Sequence, residues 1–429
     1  MQKRSLLFAL MAVFILSACD KDDNEVTPEE SANFTVTIEN VLTPRLYSQS
    51  GSTGFLAPGD QESVEFHAGK GSYLSFATMY VQSNDLFYGF EDRGLLLHDD
   101  NGNPVVGDVT AMVDLWDAGT EINQEPGVGA DQAPRQAAAN TGAEENGTVR
   151  LINTVGDGYV YPADEQVIRL TLKHDGGTLF TFTIENISAG SSIPSPLAPG
   201  IWAIHQSGVR LFTDGEAANA GIEAVAEDGN NADYVNDLAA ETGYSSPYAP
   251  GAWVVHEAGV NPIFTEGMAE SGNGLEALAE DGDPSGLASS FSTITKVTQS
   301  GIFNTPDGAG SPGPIGPGGS YSFSFKGSTG DYLNLATMLI ETNDLFLAFD
   351  QEGIALFNNG IPINGDITAH IALWDAGTEV NEYPGAGQYQ PIRGGGDSGP
   401  AEGGNVIEVN DGFSYPAVNN LIKISIQAN

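Results

Sequence analysis

An internal repeat constrains the fold of this chain more than any other feature. Residues 115–121 read Leu-Trp-Asp-Ala-Gly-Thr-Glu, and the same seven residues return at 373–379. Upstream of each copy, a Leu-x-x-Ala-Thr-Met segment is followed by Asn-Asp-Leu-Phe, within 74–87 and again within 333–346. Motifs that recur in the same order predict two copies of one domain.

A second repeat indicates the secondary structure. Residues 34–40 read Phe-Thr-Val-Thr-Ile-Glu-Asn, and residues 180–186 read Phe-Thr-Phe-Thr-Ile-Glu-Asn. Apolar and polar residues alternate in both segments, which is typical of an antiparallel strand with one buried face. The many Gly (54) and Pro (23) residues favour short strands joined by turns. We therefore predict an all-β chain of two antiparallel β-sandwich domains, at 33–178 and 179–429.

The second domain is predicted to carry an insertion, at about 199–283, that the first lacks. The insertion is itself duplicated, because 199–205 (Pro-Gly-Ile-Trp-Ala-Ile-His) matches 250–256 (Pro-Gly-Ala-Trp-Val-Val-His). Downstream, Gly-Ile-Glu-Ala-Val-Ala-Glu-Asp-Gly at 221–229 matches Gly-Leu-Glu-Ala-Leu-Ala-Glu-Asp-Gly at 274–282. Each half reads as a strand, a turn and a short helix that ends at a glycine.

The N-terminus carries targeting information. Residues 1–19 combine a basic start, an apolar run and Leu-Ser-Ala-Cys, which is typical of a lipoprotein signal peptide that ends in lipidation of Cys19. The alternative is a buried or free thiol at Cys19. Residues 20–32 form an acidic linker, and its Asp-Lys-Asp-Asp start resembles a surface-export signal, although a solvated linker has the same composition. We expect a lipid-anchored protein of the bacterial outer membrane, exposed at the cell surface.

The formal net charge of −42, with only 15 Lys and Arg, excludes a nucleic-acid partner because phosphate must be neutralised by basic side chains. Contact with a membrane is expected through the lipid anchor only. The acidity either keeps the protein soluble or provides carboxylates for divalent cations.

The repeated loops hold the candidate cation ligands. Asp117 and Glu121 lie on either side of Gly119, which allows the loop to fold back, and Asn84 and Asp85 add an amide and a carboxylate from another loop. The second copy repeats the set as Asn343, Asp344, Asp375 and Glu379. Calcium binds six to eight hard oxygens of this type. The alternative is that these side chains cap turns by accepting hydrogen bonds from local backbone amides.

Other repeated residues are weaker candidates. Asp281 and Asp283 could add to a cation site, but a helix end followed by a solvated turn explains them equally. His205 and His256 could meet around a transition metal, or each could pack within its strand. The tryptophans could stack on sugars, but core packing is the preferred interpretation of Trp116, Trp202, Trp253 and Trp374.

The order of Thr-Ile-Glu-Asn, Leu-Glu-Ala-Leu-Ala-Glu-Asp-Gly-Asp, Gly-Pro-Ile, Leu-Ala-Thr-Met, Thr-Asn-Asp and Trp-Asp-Ala-Gly-Thr-Glu resembles bacterial spondin-domain proteins. The chain is thus similar to two copies of the N-terminal domain of spondins, and the first copy departs by lacking the insertion. The resemblance implies a C2-like β-sandwich, a bound calcium ion near one end of it, and a role in extracellular adhesion or matrix contact.

The functional expectation is a non-catalytic module that binds an extracellular protein or glycan. No Ser nucleophile elbow, paired Cys and His, or His-Glu-x-x-His zinc helix occurs in the sequence. The alternative is an enzyme or an accessory subunit for uptake of an extracellular polymer, with residues 187–310 as its substrate platform.

Overall fold

A computed structural model describes residues 30–394 and 399–429. The predicted signal peptide, the lipidation site at Cys19 and residues 20–29 of the predicted linker lie outside the described residues. The strands are β1 (Ser31–Asn40), β2 (Tyr47–Ser52), β3 (Gln61–His67), β4 (Tyr73–Met79), β5 (Leu86–Phe90), β6 (Leu95–Leu96), β7 (Gly107–Asp108), β8 (Val113–Asp117), β9 (Arg150–Leu151), β10 (Ile168–Gly176), β11 (Leu179–Asn186), β12 (Ile201–His205), β13 (Tyr248–Glu257), β14 (Val297–Phe303), β15 (Ser320–Ser328), β16 (Asp331–Leu339), β17 (Leu345–Phe349), β18 (Ile354–Ala355), β19 (Phe357–Asn358), β20 (Ile361–Pro362), β21 (Gly365–Asp366), β22 (Ile371–Asp375), β23 (Ile407–Glu408) and β24 (Ile422–Ala428). The α-helices are α1 (Ile152–Val155), α2 (Ala220–Asp228), α3 (Ala232–Ala240), α4 (Leu275–Asp281), α5 (Ser285–Phe291) and α6 (Val418–Leu421).

Strands β2 to β12 form a two-sheet sandwich, which we call the first unit together with α1, α2 and α3. One sheet has the order β3-β11-β10-β7, and the other has the order β2-β12-β4-β5-β8-β9 with β6 beside β4. Side chains from both sheets meet in one apolar core, with Phe66 and Phe182 from one sheet and Phe76 and Tyr88 from the other. All strand pairs are antiparallel, which confirms the predicted all-β sandwich class.

Strand β1 and strands β13 to β24 form a second sandwich, the second unit, with α4, α5 and α6. Its sheets have the orders β15-β1-β24-β21 and β14-β13-β16-β17-β22-β23, with β18 beside β16. Phe34 and Ile424 of the first of these sheets pack in one core with Leu335 and Leu347 of the other. The two units therefore share one architecture, as the sequence repeat predicts.

Helices add a third layer to each unit on the outer face of its larger sheet. In the first unit, Ile222 and Val225 of α2 pack with Ala77 and Phe87 of the sheet, and α4 and α5 cover the second unit in the same way. All five residues of β5 are therefore buried. A strand that is covered on both faces does not show the alternation of buried and exposed side chains that is typical of a half-exposed strand.

The predicted division between the domains at 178/179 is wrong, because the strand pairing assigns β1 and β11 to different units from those predicted. Strand β1 lies between β15 and β24 of the second unit, with Phe34 opposite Phe325 and Val36 opposite Ile426. Strand β11 lies between β3 and β10 of the first unit, and β12 pairs with β2 and β4. The predicted restriction of the insertion to the second domain is also wrong, because each unit takes one strand and one helix pair of the duplication.

A tight turn explains this arrangement. Gly176 and Gly177, with φ of 102° and 54°, allow β10 to turn directly into β11 as a hairpin. In the second unit the strand equivalent to β10 is β24, at the C-terminal end of the chain, and β1 occupies the place of β11. The backbone N–H of Asn429 donates to the carbonyl of Asn33 at 2.8 Å. The N- and C-terminal strands together thus complete the second unit, and the first unit lies in the chain between them.

Candidate cation-binding loops

The two loop acids of each unit meet at one end of the larger sheet. Asp85 immediately precedes β5 and Asp117 ends β8, and the pairing of these strands places Leu86 opposite Asp117. In the second unit, Leu345 lies opposite Asp375 in the same way, which brings Asp344 to the same position. The antiparallel register therefore brings together acids that lie about 30 residues apart in the sequence.

One oxygen of the first acid organises the Asp-Ala-Gly-Thr-Glu loop. Oδ2 of Asp85 accepts hydrogen bonds from the backbone N–H groups of Thr120 (2.8 Å) and Glu121 (3.0 Å) and from the Thr120 hydroxyl (3.2 Å). Oδ2 of Asp344 accepts the same three bonds from Thr378 and Glu379, at 2.7, 3.1 and 3.1 Å. Turn capping, the alternative that the sequence left open, is thus part of what these side chains do.

The second acid closes the turn over its glycine. Oδ1 of Asp117 accepts from the backbone N–H of Gly119 at 2.6 Å, and Oδ1 of Asp375 accepts from Gly377 at 2.7 Å. Gly119 has a φ of +69°, and a Cβ there would lie 2.6 Å from the backbone of Thr148. The turn therefore requires glycine on both conformational and steric grounds.

The other oxygen of Asp85 and of Asp344 has no partner. Oδ1 of each is buried and makes no hydrogen bond with the described residues, and both side chains are fully buried. Burial raises the pKa of Asp85 to about 8, with a further increase from the nearby Asp117. Burial and the charge of Asp375 raise the pKa of Asp344 to about 7. A buried carboxylate oxygen without a donor requires a proton or a cation for stability.

The third predicted ligand is held by the Asn of the other loop. Nδ2 of Asn84 donates to Oε2 of Glu121 at 3.1 Å, and Nδ2 of Asn343 donates to Oε2 of Glu379 at 3.3 Å. Oε1 of Glu121 accepts from the backbone of Gly142, and Oε1 of Glu379 accepts from Gly399. The amide oxygens of both asparagines accept backbone N–H bonds, so the asparagines hold the two loops of each unit together.

A fourth acid, which the sequence analysis did not count among the candidate ligands, faces each loop from the helical layer. Glu227 of α2 and Glu280 of α4 are both buried. Burial raises the pKa of each to about 7, with further increases from Glu121 on Glu227 and from Glu379 on Glu280. The repeated Ala-Glu-Asp-Gly motif, interpreted as part of a helix with one buried face, could have predicted that both glutamates are buried. Of the predicted additional ligands, Asp281 is exposed and Asp283 accepts a bond from the backbone N–H of Ser285.

Within the described residues, no three or more His, Cys, Asp or Glu side chains are grouped so that they could hold a metal ion in this conformation. The donor set is nevertheless one of hard oxygens, and the unpartnered Oδ1 atoms of Asp85 and Asp344 are free to accept a cation. Calcium binding at these loops stays a prediction.

The repeated histidines and tryptophans lie within the packed structure. Nε2 of His205 hydrogen-bonds with the Ser75 hydroxyl at 2.8 Å, and Nδ1 of His205 and of His256 each face a backbone carbonyl. The two histidines belong to different units. The four tryptophans are buried, at most 8% exposed, in agreement with the preferred interpretation of core packing.

A comparison with protein-family models gave no match, and no curated protein matched the chain. The spondin resemblance therefore remains an expectation. Across 30–394 and 399–429, none of the helices has both the length and the apolar character that crossing a membrane requires.

Proposed function

We propose that this chain is a cell-surface lipoprotein, anchored in the bacterial outer membrane through Cys19, and that it acts as a non-catalytic adhesion or ligand-binding module with two spondin-like domains. The loop ends of both units would bind a calcium ion each and contact an extracellular protein or glycan. Two similar units in one chain support avidity, since the second contact forms at high effective concentration.

The observation that carries the calcium proposal is the unpartnered Oδ1 of Asp85 and of Asp344. The same atom lacks a donor in both units, beside a second buried carboxylate each time. In the second unit, Asp344, Asp375 and Glu379 would hold the ion, with Glu280 near them. In the first unit the equivalent residues are Asp85, Asp117, Glu121 and Glu227. A bound calcium ion would supply the positive charge that allows these buried carboxylates to ionise.

Calorimetric titration of calcium into the chain from residue 20 onward tests this proposal, together with melting curves with and without excess chelator. We expect two binding events and a higher Tm with calcium. A ligand at one hundred times its Kd stabilises the folded state by about 2.7 kcal/mol per site. Absence of binding heat together with an unchanged Tm would contradict the proposal.

The double variant Asp344→Asn, Asp375→Asn should remove one of the two binding events. Asparagine keeps an acceptor oxygen for the backbone N–H bonds of Thr378 and Gly377, so the loop should still form. Glu276→Gln, an exposed carboxylate on α4, is the matched control for loss of negative charge and should leave both events in place. If the double variant still shows two events, the second loop is not a calcium site.

A further inference from the structure

A cleft runs between the two units. The ring of Tyr383 in the second unit stacks on His67 of the first, with centroids 3.9 Å apart. Next to this stack, the carbonyl of Ala386 lies so close to Gly69 that a Cβ on Gly69 would be 2.2 Å from it. Beside these contacts is a cavity of about 360 Å³, bounded by both units. The volume is of the order of small-molecule binding sites.

Arg393 crosses this cleft without an acidic partner. Its Nη1 donates to the carbonyl of Lys70 at 2.9 Å and to Oε1 of Gln206 at 3.2 Å, and its Nη2 donates to the carbonyl of Gly385. Its Nε is buried and has no partner among the described residues. A largely enclosed guanidinium that faces neutral acceptors retains its full charge, which burial disfavours.

Three basic side chains lie at this cleft in a strongly acidic chain. The whole chain has 57 Asp and Glu against 15 Lys and Arg. In the part of the chain that the structure describes, six basic side chains form ion pairs with acids, namely Arg93, Arg150, Arg169, Lys173, Arg210 and Lys423. Six described basic side chains form no such pair: Arg45, Lys70 and Arg393 line the space between the units, whereas Arg135, Lys296 and Lys326 line neither of its two cavities.

No described acid lines the 360 Å³ cavity. Lys70 and Arg393 contribute positive charge, and His98 contributes a buried Nδ1 that lacks a partner. Burial lowers the pKa of His98, the positive charges of His174 and Arg393 lower it further, and the nearby carboxylate of Asp99 raises it. The carboxyl of Glu341, which lines the neighbouring cavity, acts on Arg393 and raises its pKa against the effect of burial. With Lys70 and Arg393 in its lining and no described acid there, the 360 Å³ cavity favours an anion.

The rest of the lining indicates which kind of anion. Gln388 offers a side-chain amide, Asn101 offers an amide that also hydrogen-bonds with Asp99, and Tyr389 offers an aromatic ring. Amides and aromatic rings suit the hydroxyl groups and the apolar face of a sugar ring, and arginine and lysine suit a carboxylate. We propose that this cleft binds an acidic saccharide, with its carboxylate between Lys70 and Arg393. The site is independent of the calcium loops.

The test titrates glucuronate or glucose, which differ in the carboxylate, into the chain from residue 20 onward and measures both affinities in excess chelator. The chelator keeps calcium from bridging the carboxylate to the acidic loops, so that failure of this proposal is separate from failure of the calcium proposal. We expect glucuronate to bind at least tenfold more tightly than glucose. Equal binding of the two sugars, or no binding of glucuronate, would overturn the proposal.

Variants locate the site. Lys70→Gln should weaken glucuronate binding at least fivefold, and Lys70 is exposed, so the fold should tolerate the change. Arg393→Gln should weaken it further, although this variant also loses contacts between the units. Lys326→Gln, an exposed lysine on β15, is the matched control and should have no effect. An unchanged affinity in Lys70→Gln would place any binding elsewhere and overturn the assignment.

Discussion

Nη2 of Arg150 lies 3.3 Å from Oδ2 of Asp117, and the two residues lie directly opposite each other on the paired strands β9 and β8. In the second unit, Ile407 occupies that position beside Asp375. The two loops are otherwise alike, since Asn123 and Asn381 donate equivalent bonds to Oδ2 of their aspartates at 2.8 and 2.7 Å. The first loop thus contains the positively charged guanidinium of Arg150, and the second loop has no basic side chain at the equivalent position.

This difference predicts unequal calcium affinities. Because the guanidinium of Arg150 repels a second cation near Asp117, we expect the first loop to bind calcium more weakly than the second. Arg150→Ile should strengthen the weaker site by about tenfold or more, equivalent to roughly 1.4 kcal/mol. Ile407→Arg should weaken the stronger site, and calorimetric titration measures both. If neither exchange changes either affinity, the cation is not bound at these loops.

The exchange of strands between the predicted domains gives a second prediction. Ile38 of β1 and Ile184 of β11 occupy equivalent places in the repeat, and both are buried in the cores of different units. Ile38→Asp should destabilise the second unit, and Ile184→Asp the first, each by about 3 kcal/mol or more, since a charge would be buried without a partner.

Hydrogen exchange measured by mass spectrometry distinguishes the two variants. In Ile38→Asp we expect faster exchange in β15 and β24, with β3 and β10 retaining more protection, and the reverse in Ile184→Asp. Thr37→Asp, on the opposite face of β1, is the control for charge on the same strand. Faster exchange in β3 and β10 alone after Ile38→Asp would show that β1 belongs to the first unit.

The Asn that ends each Thr-Ile-Glu-Asn repeat gives a third prediction. Nδ2 of Asn186 donates to the carbonyls of Leu56 (2.8 Å) and Ser195 (2.9 Å), and its Oδ1 accepts from the backbone of Ser188. Asn40 makes the equivalent bonds to Ser246 and Ile315 in the second unit. Asn186→Leu should cost about 2–4 kcal/mol, because buried backbone groups would lose their partners. Urea denaturation measures the loss, and a change below about 1 kcal/mol would contradict it.

The raised pKa values of the loop acids give a fourth prediction, for protein in excess chelator. Asp85 and Asp344 have pKa values of about 8 and about 7 in the folded state, well above those of an unfolded chain. Folding thus favours their protonated forms, and the contribution of these two acids to the stability of the folded state is lost as the pH rises through 7 to 8. We expect a lower Tm at pH 9 than at pH 6.

The double variant Asp85→Asn, Asp344→Asn separates this effect from other titrations, since asparagine resembles the neutral acid. It should show a clearly smaller fall in Tm between pH 6 and pH 9 than the unmodified chain, because Glu227 and Glu280 still contribute to it. Calcium should also reduce the fall in the unmodified chain. An equal fall in the variant would mean that these two aspartates do not carry the pH dependence.

The candidate loops were predictable from the sequence because their geometry is local to one antiparallel pair. Asp85 of the Asn-Asp motif immediately precedes β5, and Asp117 of the Trp-Asp-Ala-Gly-Thr-Glu motif ends β8. The register of these two paired strands therefore brings Asp85 and Asp117 together. Glu227 was not predicted, because its approach to the loop depends on how α2 packs on the sheet. The contact between Arg150 and Asp117 likewise depends on a two-residue strand, β9, that has no repeat in the sequence.

The sequence by itself determined the fold class and the twofold repeat, because alternation and recurring motifs are properties of short segments. Only the tertiary structure decided which unit each strand joins. The segments 34–40 and 180–186 are nearly identical, so the same side chains fill the same place in either core. The Gly176–Gly177 turn settles the choice, because it joins β10 to β11 over a few residues at little cost in chain entropy. Strand β1 is then left to pair with β24, at the other end of the chain.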